Sequence, residues 1–288
     1  MKKILLSLSM IAVVALIAVG ATGAFFSDTE TSTGNTFAAG AIDLTVDSEQ
    51  HYNNAVCVAT GNNGTSSAAY SWQLDPNGGG LQDPQYPEIG SACDGTWAAA
   101  DLGTQKFFNF SDIKPGDSGE NTVSLHVANN DAWLRLIIKD VTDLDNSCNE
   151  PEGSDEMLNL DGSVSTIPSC STTGELRENL LFSVWLDQGY ESGFQGKEKD
   201  EGEGDNIWQG ESYEPMIITE GPIDTDGETW DLKDLDDAYL ASGDTAYFGI
   251  AWNLPDVVGN IVQTDSLGAT MEFQVEQRRN NPTPFEID

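Results

Sequence analysis

The sequence of 288 residues predicts an all-β protein, an antiparallel β-sandwich with long decorated loops. Three observations lead to this prediction. Apolar and polar residues alternate in six separate runs, polar stretches rich in Asn, Gly and Pro lie between them, and helical periodicity is scarce. Alternation with a period of two residues is typical of antiparallel strands that bury one face.

The six alternating runs place an apolar side chain at every second position. They are Ile42 to Val46, Val123 to Val127, Leu134 to Ile138, Leu180 to Leu186, Ala246 to Trp252 and Met271 to Val275. A helical pattern is limited to a short stretch near Leu232 to Leu240 and a turn at the start of Glu175 to Leu181. The core is therefore expected to consist of strands.

The first 24 residues have the order of a secretory signal peptide. Lys2 and Lys3 precede the apolar run from Ile4 to Val19, and small residues follow it. A membrane anchor is the alternative, because about 20 apolar residues can also span a bilayer. The small residues and the lack of a following positive cluster favour cleavage beside Gly23 or Ala24. We therefore expect a secreted protein that a signal peptidase processes and that is free of the membrane afterwards.

The remaining residues predict a single sandwich domain over 25–277. Two polar insertions are expected at about 47–104 and 188–230, because neither has enough apolar periodicity for a core of its own. Residues 278–288 are expected to form a loosely ordered tail.

The net charge is −36, from 48 acidic and 12 basic residues. Nucleic acids and anionic membranes need Lys and Arg patches, so neither is an expected partner. Such a charge also raises the self-repulsion of a compact state unless cations screen it. A saline habitat and specific divalent-cation sites both explain the composition.

Four cysteines, Cys57, Cys93, Cys148 and Cys170, occur in a chain that is expected to be exported, where disulfides form. Four cysteines allow three pairings. We predict the sequential one, Cys57 to Cys93 and Cys148 to Cys170, because each bond would close one polar loop. No CxxC motif is present, so a zinc site is not expected.

The sequence offers no catalytic constellation, and a non-enzymatic protein without a cofactor is predicted. The two histidines are His51, in a polar loop, and His126, on the polar side of a strand. The motifs HExxH, GxSxG and GxxxxGK[ST] are all absent. The weak metal candidates are Asp224, Asp226 and Glu228, which alternate like the first ligands of a calcium loop. Gly227 is displaced from the sixth position of such a loop and no Glu stands at the twelfth, so a solvated acidic loop is the simpler interpretation.

Two motifs are more specific. The segment after the cleavage site reads AFFSDTE, then NTFAAGAIDL, and Lys114-Pro115-Gly116-Asp117 precedes a strand that ends in Asn129-Asn130. With Trp252-Asn253-Leu254-Pro255 near the end of the chain, this pattern resembles the TasA/camelysin family of biofilm-matrix proteins and is similar to archaeal bundling pilus subunits.

The resemblance implies a jelly-roll-like sandwich that is exported through a specialised signal peptidase and polymerises into extracellular fibres. It also implies that the N-terminal segment, Ala24 to about Thr36 with Phe25 and Phe26, is a donor strand that completes the sheet of a neighbouring copy. Alternatively, this segment is the first strand of its own subunit. A second class of function is a cell-surface binding module with acidic loops that hold calcium or a glycan. The family name is also associated with metalloprotease activity, for which the sequence has no zinc-ligand spacing.

Overall fold

The computed structural model describes residues 27–31, 42–60, 69–76, 86–147, 152, 173–191 and 201–286. Within them the chain forms twelve strands, one short α-helix and two 3-10 helices. The strands are β1 Ser27–Thr31, β2 Asp43–Tyr52, β3 Ala55–Thr60, β4 Ala69–Leu74, β5 Trp97–Ala100, β6 Ser118–Ala128, β7 Ala132–Asp145, β8 Leu181–Leu186, β9 Met216–Gly221, β10 Glu228–Asp231, β11 Thr245–Asn253 and β12 Asp265–Gln277. The α-helix is α1 Leu176–Asn179, and the 3-10 helices are Leu232–Asp234 and Asp256–Val258.

The strands form two antiparallel sheets. The four-stranded sheet has the order β1-β12-β7-β10, and its longest ladder joins β12 to β7. The eight-stranded sheet has the order β4-β3-β2-β6-β11-β8-β9, with β5 paired to β2. Because β6 and β11 occupy the middle of the larger sheet, each has a hydrogen-bonded strand on both sides.

The inner faces of the two sheets share one apolar core. Val123, Leu125 and Phe248 come from the larger sheet, and Leu136 and Phe273 from the smaller one. The Phe248 and Phe273 rings meet between the sheets, with their centroids 5.9 Å apart. The structure thus confirms the predicted antiparallel sandwich, whereas the jelly-roll topology implied by the resemblance stays a prediction.

All six predicted strands are present, as β2, β6, β7, β8, β11 and β12. The turn expected at Glu175 to Leu181 is the one-turn helix α1, and a 3-10 turn lies at Leu232–Asp234. The strand β2 continues through Tyr52, beyond the position near residue 47 where the sequence predicts the first insertion to begin. The reason is that Ser48, Gln50 and Tyr52 are buried, so the strand keeps one face in the core although two of these residues are polar.

Residues beyond β2 pack on the main core. The strands β3 and β4 extend the larger sheet, and Trp72 is 6% exposed, with its ring 6.1 Å from that of Tyr52. A disulfide joins Cys57 to Cys93, as the sequence predicts. The second predicted pair, Cys148 and Cys170, lies outside the described residues.

The C-terminal segment contacts the smaller sheet. The Trp133 indole N–H donates a hydrogen bond to the Asn281 carbonyl oxygen at 2.8 Å, and Asn281 is buried. The Arg135 guanidinium lies 4.3 Å from the centroid of the Phe285 ring. In the described part of the chain, no helix has both the length and the apolar character needed to cross a membrane.

Candidate functional site

The N-terminal strand β1 occupies the edge of the smaller sheet. It pairs antiparallel with β12 in five residue pairs, from Ser27 opposite Glu276 to Thr31 opposite Glu272. No strand among the described residues pairs with the other side of β1. Of the predicted donor segment, Phe25 and Phe26 lie outside the described residues, as do the predicted cleavage residues Gly23 and Ala24.

A group of acidic side chains lies at the other end of β12. Asp265, the first residue of β12, is directly opposite Asp145, the last residue of β7. Asp145, Asp265 and Glu152 each offer a carboxylate oxygen, and these three oxygens lie within 4.8 Å of one another. This group could hold a metal ion, and oxygen-only ligands suit hard cations such as Ca²⁺.

The surrounding chain fixes the position of these acids. Asp265 Oδ2 accepts hydrogen bonds from the backbone N–H groups of Glu175 at 2.6 Å and Leu176 at 2.9 Å, which anchors the start of α1. The Asn146 side-chain amide donates to the Thr264 carbonyl oxygen at 2.8 Å. The turn before β12 and the residues after β7 are therefore held together next to the acids.

Burial disfavours the charged forms of two carboxyls here, those of Asp265 and Asp143. Burial raises the pKa of Asp265 above its usual range, and the neighbouring Asp145 and Asp143 raise it further. The two backbone N–H groups oppose this shift. Burial also raises the pKa of Asp143, against the effect of Arg177, whose Nε lies 3.4 Å from Asp143 Oδ2.

The acids that the sequence predicts as weak calcium ligands lie in a different place. Asp224 and Asp226 are exposed in the turn before β10, where Asp224 Oδ1 accepts a hydrogen bond from the Asp226 backbone N–H at 2.9 Å. Glu228 begins β10 and pairs with Ile138 of β7. These acids stabilise a turn and do not belong to the Asp145 group.

Neither histidine belongs to the acidic group. His51 lies between Glu49 Oε1, at 3.3 Å, and Asp75 Oδ2, at 3.2 Å. His126 Nε2 lies 2.7 Å from an Asp47 carboxylate oxygen, on the outer face of the larger sheet.

A second buried acidic pair lies beneath the second insertion. Asp187 and Glu214 are fully buried, and each accepts two backbone N–H hydrogen bonds: Asp187 from Gly204 and Asn206, Glu214 from Gly189 and Gln209. Burial and the adjacent Glu214 raise the pKa of Asp187 to about 8. A protonated Asp187 that donates to Glu214 removes one of the two buried charges.

A cavity of about 380 Å³ is lined in part by Asn206, whose backbone N–H donates to Asp187. Its wall includes a row of directly opposed residues from four strands, His51, Glu120, Ala251 and Ser183. Three buried polar atoms of lining residues have no hydrogen-bond partner. They are Glu120 Oε2, Trp185 Nε1 and Trp252 Nε1.

The spacing of acidic residues around Asp145 is a local feature of the sequence from which this part of the group could have been predicted. The sequence has oxygen-bearing side chains at every second position over Asp143, Asp145 and Ser147, which is the spacing of the first ligands of a calcium loop. The same spacing occurs at Asp224, Asp226 and Glu228. Asp265 is far away in sequence, so only the β7–β12 register connects it to these residues.

A family model described as camelysin metallo-endopeptidase matches residues 1–57. This range contains the predicted signal peptide, β1, β2 and Cys57. No curated protein and no solved structure matches the chain. Over residues 1–57, the match supports the resemblance to the camelysin family that the sequence predicts.

Proposed function

We propose that the chain is an exported, non-enzymatic subunit that polymerises into extracellular fibres by exchanging its N-terminal strand between copies. The observation that carries this proposal is the position of β1. It is an edge strand that pairs only with β12 among the described residues, and residues 32–41 separate it from the rest of the sandwich.

In strand exchange, β1 of one copy pairs with β12 of another copy, in the same register as it pairs with β12 of its own copy. The backbone hydrogen bonds between β1 and β12 are then unchanged, so the equilibrium depends on the linker and on protein concentration. The donor strand and the acceptor edge of each copy engage different neighbours. Contacts of this head-to-tail kind do not close, and they produce filaments.

Processing of the leader would control this assembly. The predicted cleavage site beside Gly23 or Ala24 lies immediately before Phe25 and Phe26. A leader that stays in the membrane would hold the donor segment there, and cleavage by a signal peptidase would release it. The match to the camelysin family over residues 1–57 supports export of the protein to the cell surface or matrix.

The chemistry of the acidic group supports a structural function over proteolysis. Catalytic zinc sites in proteases use histidine ligands and keep one position open for water. The Asp145 group consists of carboxylates alone, and His51 and His126 make other contacts. We therefore propose that any metal bound there has a structural role.

Cysteine pairs across the β1–β12 ladder test strand exchange. Thr29 lies opposite Gln274, so the variants Thr29→Cys and Gln274→Cys are prepared as separate proteins and mixed under oxidising conditions. We expect covalent dimers from the mixture and a ladder of covalent oligomers from the double variant, on non-reducing gels. The matched control is Thr229→Cys with Ile137→Cys, across β10 and β7, which should give only intramolecular bonds. A Thr29–Gln274 double variant that stays entirely monomeric would contradict the proposal.

The cavity favours a second function, a surface module that binds a glycan. The two indole N–H groups and the carboxyl oxygen without hydrogen-bond partners suit a ligand that both donates and accepts, and both tryptophans are among the residues that line the cavity. In ¹⁵N-labelled protein, titration with soluble oligosaccharides should shift the indole resonances of both tryptophans. Unchanged indole resonances at saturating sugar concentrations would exclude this function for the cavity.

A further inference from the structure

Four buried carboxylate oxygens near the start of β12 accept no hydrogen bond of ordinary geometry, although Arg177 forms an ion pair with one of them. They are both side-chain oxygens of Asp143, Asp145 Oδ1 and Asp265 Oδ1. Buried polar atoms in proteins nearly always have a partner, so a concentration of such atoms in one place needs an explanation. The Asp143 side chain is only 8% exposed, so solvent has little access to its oxygens.

Two of these oxygens, Asp143 Oδ1 and Asp265 Oδ1, lie beside Gly174. A Cβ atom added to Gly174 would lie 3.0 Å from Asp143 Oδ1 and 3.0 Å from Asp265 Oδ1, so both oxygens face the same point. Asp145 and Glu152 complete the group, because their oxygens lie within 4.8 Å of each other and of an Asp265 oxygen. Three carboxylates from separate parts of the chain therefore lie close together, and Asp143 lies beside one of them, Asp265.

The protein provides too little positive charge for this group. Arg177 approaches Asp143 Oδ2, but its two terminal nitrogens donate to the Ile223 carbonyl oxygen and to Glu178 Oε1, each at 3.2 Å. Asp145 and Asp265 are directly opposed like charges, an arrangement that destabilises an antiparallel pair. A bound cation would turn this repulsion into attraction.

The ligand set distinguishes among cations. Zn²⁺ prefers nitrogen and sulfur ligands, which this group lacks. Mg²⁺ demands near-ideal octahedral geometry and keeps several waters, whereas Ca²⁺ accepts six to eight oxygens in irregular geometry, including bidentate carboxylates. The alternate spacing of Asp143 and Asp145, followed by Ser147, is also the spacing with which calcium loops begin.

We infer that Asp143, Asp145, Glu152 and Asp265 bind one calcium ion. The ion joins the end of β7, the segment that contains Glu152 and the start of β12. Because Asp265 also accepts the backbone N–H groups of Glu175 and Leu176, the same ion stabilises the entry into α1. The site thus connects Glu152 to the ends of β7 and β12.

Calcium binding to the purified protein tests this inference. Calorimetric titration with CaCl₂ is performed in about 1 M NaCl, which shortens the Debye length to about 3 Å and suppresses diffuse attraction to the acidic surface. We expect saturable binding with a Kd of about 10⁻⁴–10⁻³ M, the range of extracellular calcium modules, or tighter. We also expect calcium to raise the melting temperature, and MgCl₂ at equal concentration to raise it less.

Two matched variants locate the ion. Asp145→Asn removes one ligand charge without a change of shape, and it should lower calcium affinity by roughly 10–100-fold, the size of effect typical for groups that support a metal. Its calcium-free melting temperature should equal or exceed that of the parent protein, because the variant removes a repulsive charge. Asp226→Asn makes the same change of charge in the exposed turn before β10, and it should leave calcium binding unaltered.

Each result decides for or against the site. A parent protein without saturable calcium binding overturns the inference. An Asp145→Asn variant that binds calcium as tightly as the parent protein also overturns it. Loss of calcium affinity in Asp226→Asn would show that the ion binds at the turn before β10 and not at Asp145. A sharply lower calcium-free melting temperature for Asp145→Asn would show that the aspartate stabilises the fold without an ion. None of these measurements depends on fibre formation, so a negative result for calcium would not contradict the proposed function.

Discussion

Asp145 and Asp265 lie directly opposite each other as the last residue of β7 and the first residue of β12. Two like charges therefore terminate the longest ladder of the smaller sheet. The other part of β12, residues 272–276, pairs with β1. One strand thus contributes both to the proposed calcium site and to the proposed exchange of β1, at opposite ends.

The first prediction concerns Arg177, the cation that lies beside Asp143 among the described residues. Arg177→Met leaves a nearly buried carboxylate without its partner, so the calcium-free protein should lose about 3 kcal/mol of stability, the lower end of the range for broken buried pairs. Urea unfolding in the presence of a chelator measures this loss. The control is Lys114→Met, whose ion pair with Asp112 is exposed, and it should change stability by less than about 1 kcal/mol. Equal losses for the two variants would show that Arg177 does not compensate Asp143.

The second prediction is a pH dependence that arises at Asp187. In the unfolded chain this carboxyl loses its proton near its usual pKa of about 4, but in the folded protein it does so at about 8. Between these values the folded state binds more protons, so the stabilising contribution is complete below about pH 4 and is lost as the pH rises towards 8.

Asp187→Asn tests this dependence, because an amide can donate to Glu214 at every pH as the protonated acid does. The stability of the parent protein relative to the variant should fall with rising pH by up to about 1.4 kcal/mol per pH unit. Thermal unfolding at several pH values between 5 and 8.5 measures the difference. Parallel curves for the two proteins would mean that Asp187 is ionised throughout.

The third prediction concerns the disulfide. Cys57 and Cys93 are 36 residues apart, and the chain-entropy relation gives a contribution of about 3–4 kcal/mol for a loop of that length. Cys57→Ala with Cys93→Ala should therefore lower the free energy of unfolding by that amount while β3 and β4 still form. Peptide mapping without reductant checks the bond itself and also tests the predicted pairing of Cys148 with Cys170. An unchanged unfolding free energy would indicate that the unfolded loop is already restricted.

The fourth prediction compares two glycines with positive φ. A Cβ on Gly227, at φ +82°, would lie 2.1 Å from the Ile138 carbonyl oxygen, whereas one on Gly210, at φ +98°, would meet nothing within 4 Å. Both alanine variants should lose about 1–3 kcal/mol from the backbone conformation. Gly227→Ala should lose roughly 1–3 kcal/mol more, since the contact forces β10 away from β7. Denaturant unfolding measures the loss of stability in each variant. Similar losses for Gly227→Ala and Gly210→Ala would show that Gly227 does not lie close to the Ile138 carbonyl oxygen.

Local patterns were sufficient to predict six of the twelve strands but not the sites. Alternation identifies β7 and β12 because each buries one face in the core, and that signal is contained in a few consecutive residues. The approach of Asp265 to Asp145 depends on register between distant strands, which alternation does not determine. The acidic turn around Asp224 and Asp226 has the same local spacing as Asp143 and Asp145, so spacing alone could not distinguish a turn from a convergent site.

The same limit applies to residues with a weak local pattern. The segment around Pro282 and Pro284 has no strand periodicity, yet Asn281 is buried against Trp133. Its position follows from an aromatic surface that β7 presents and not from its own composition. Likewise, the burial of Asp187 beneath the second insertion depends on backbone N–H groups of Gly204 and Asn206, which no side-chain pattern reveals.

The last prediction concerns the acceptor edge of β12. Deletion of residues 25–34 removes β1 and should leave a folded monomer, because β1 is an edge strand and the ladder between β12 and β7 remains. The exposed β12 edge then has free backbone groups over residues 272–276. A synthetic peptide of residues 24–36 should bind to this edge, restore stability and leave the protein unable to elongate.

Peptide binding is measured by fluorescence anisotropy, with a scrambled peptide of the same composition as control, and assembly is followed by negative-stain microscopy. Phe25→Ser with Phe26→Ser in the peptide should weaken binding, because burial of each ring is worth roughly 1.5–3 kcal/mol. The same two changes in the full chain should reduce fibre formation. Normal filaments from the truncated protein would refute exchange of β1. Failure of the truncated protein to fold, without rescue by the peptide, would place β1 permanently in its own subunit.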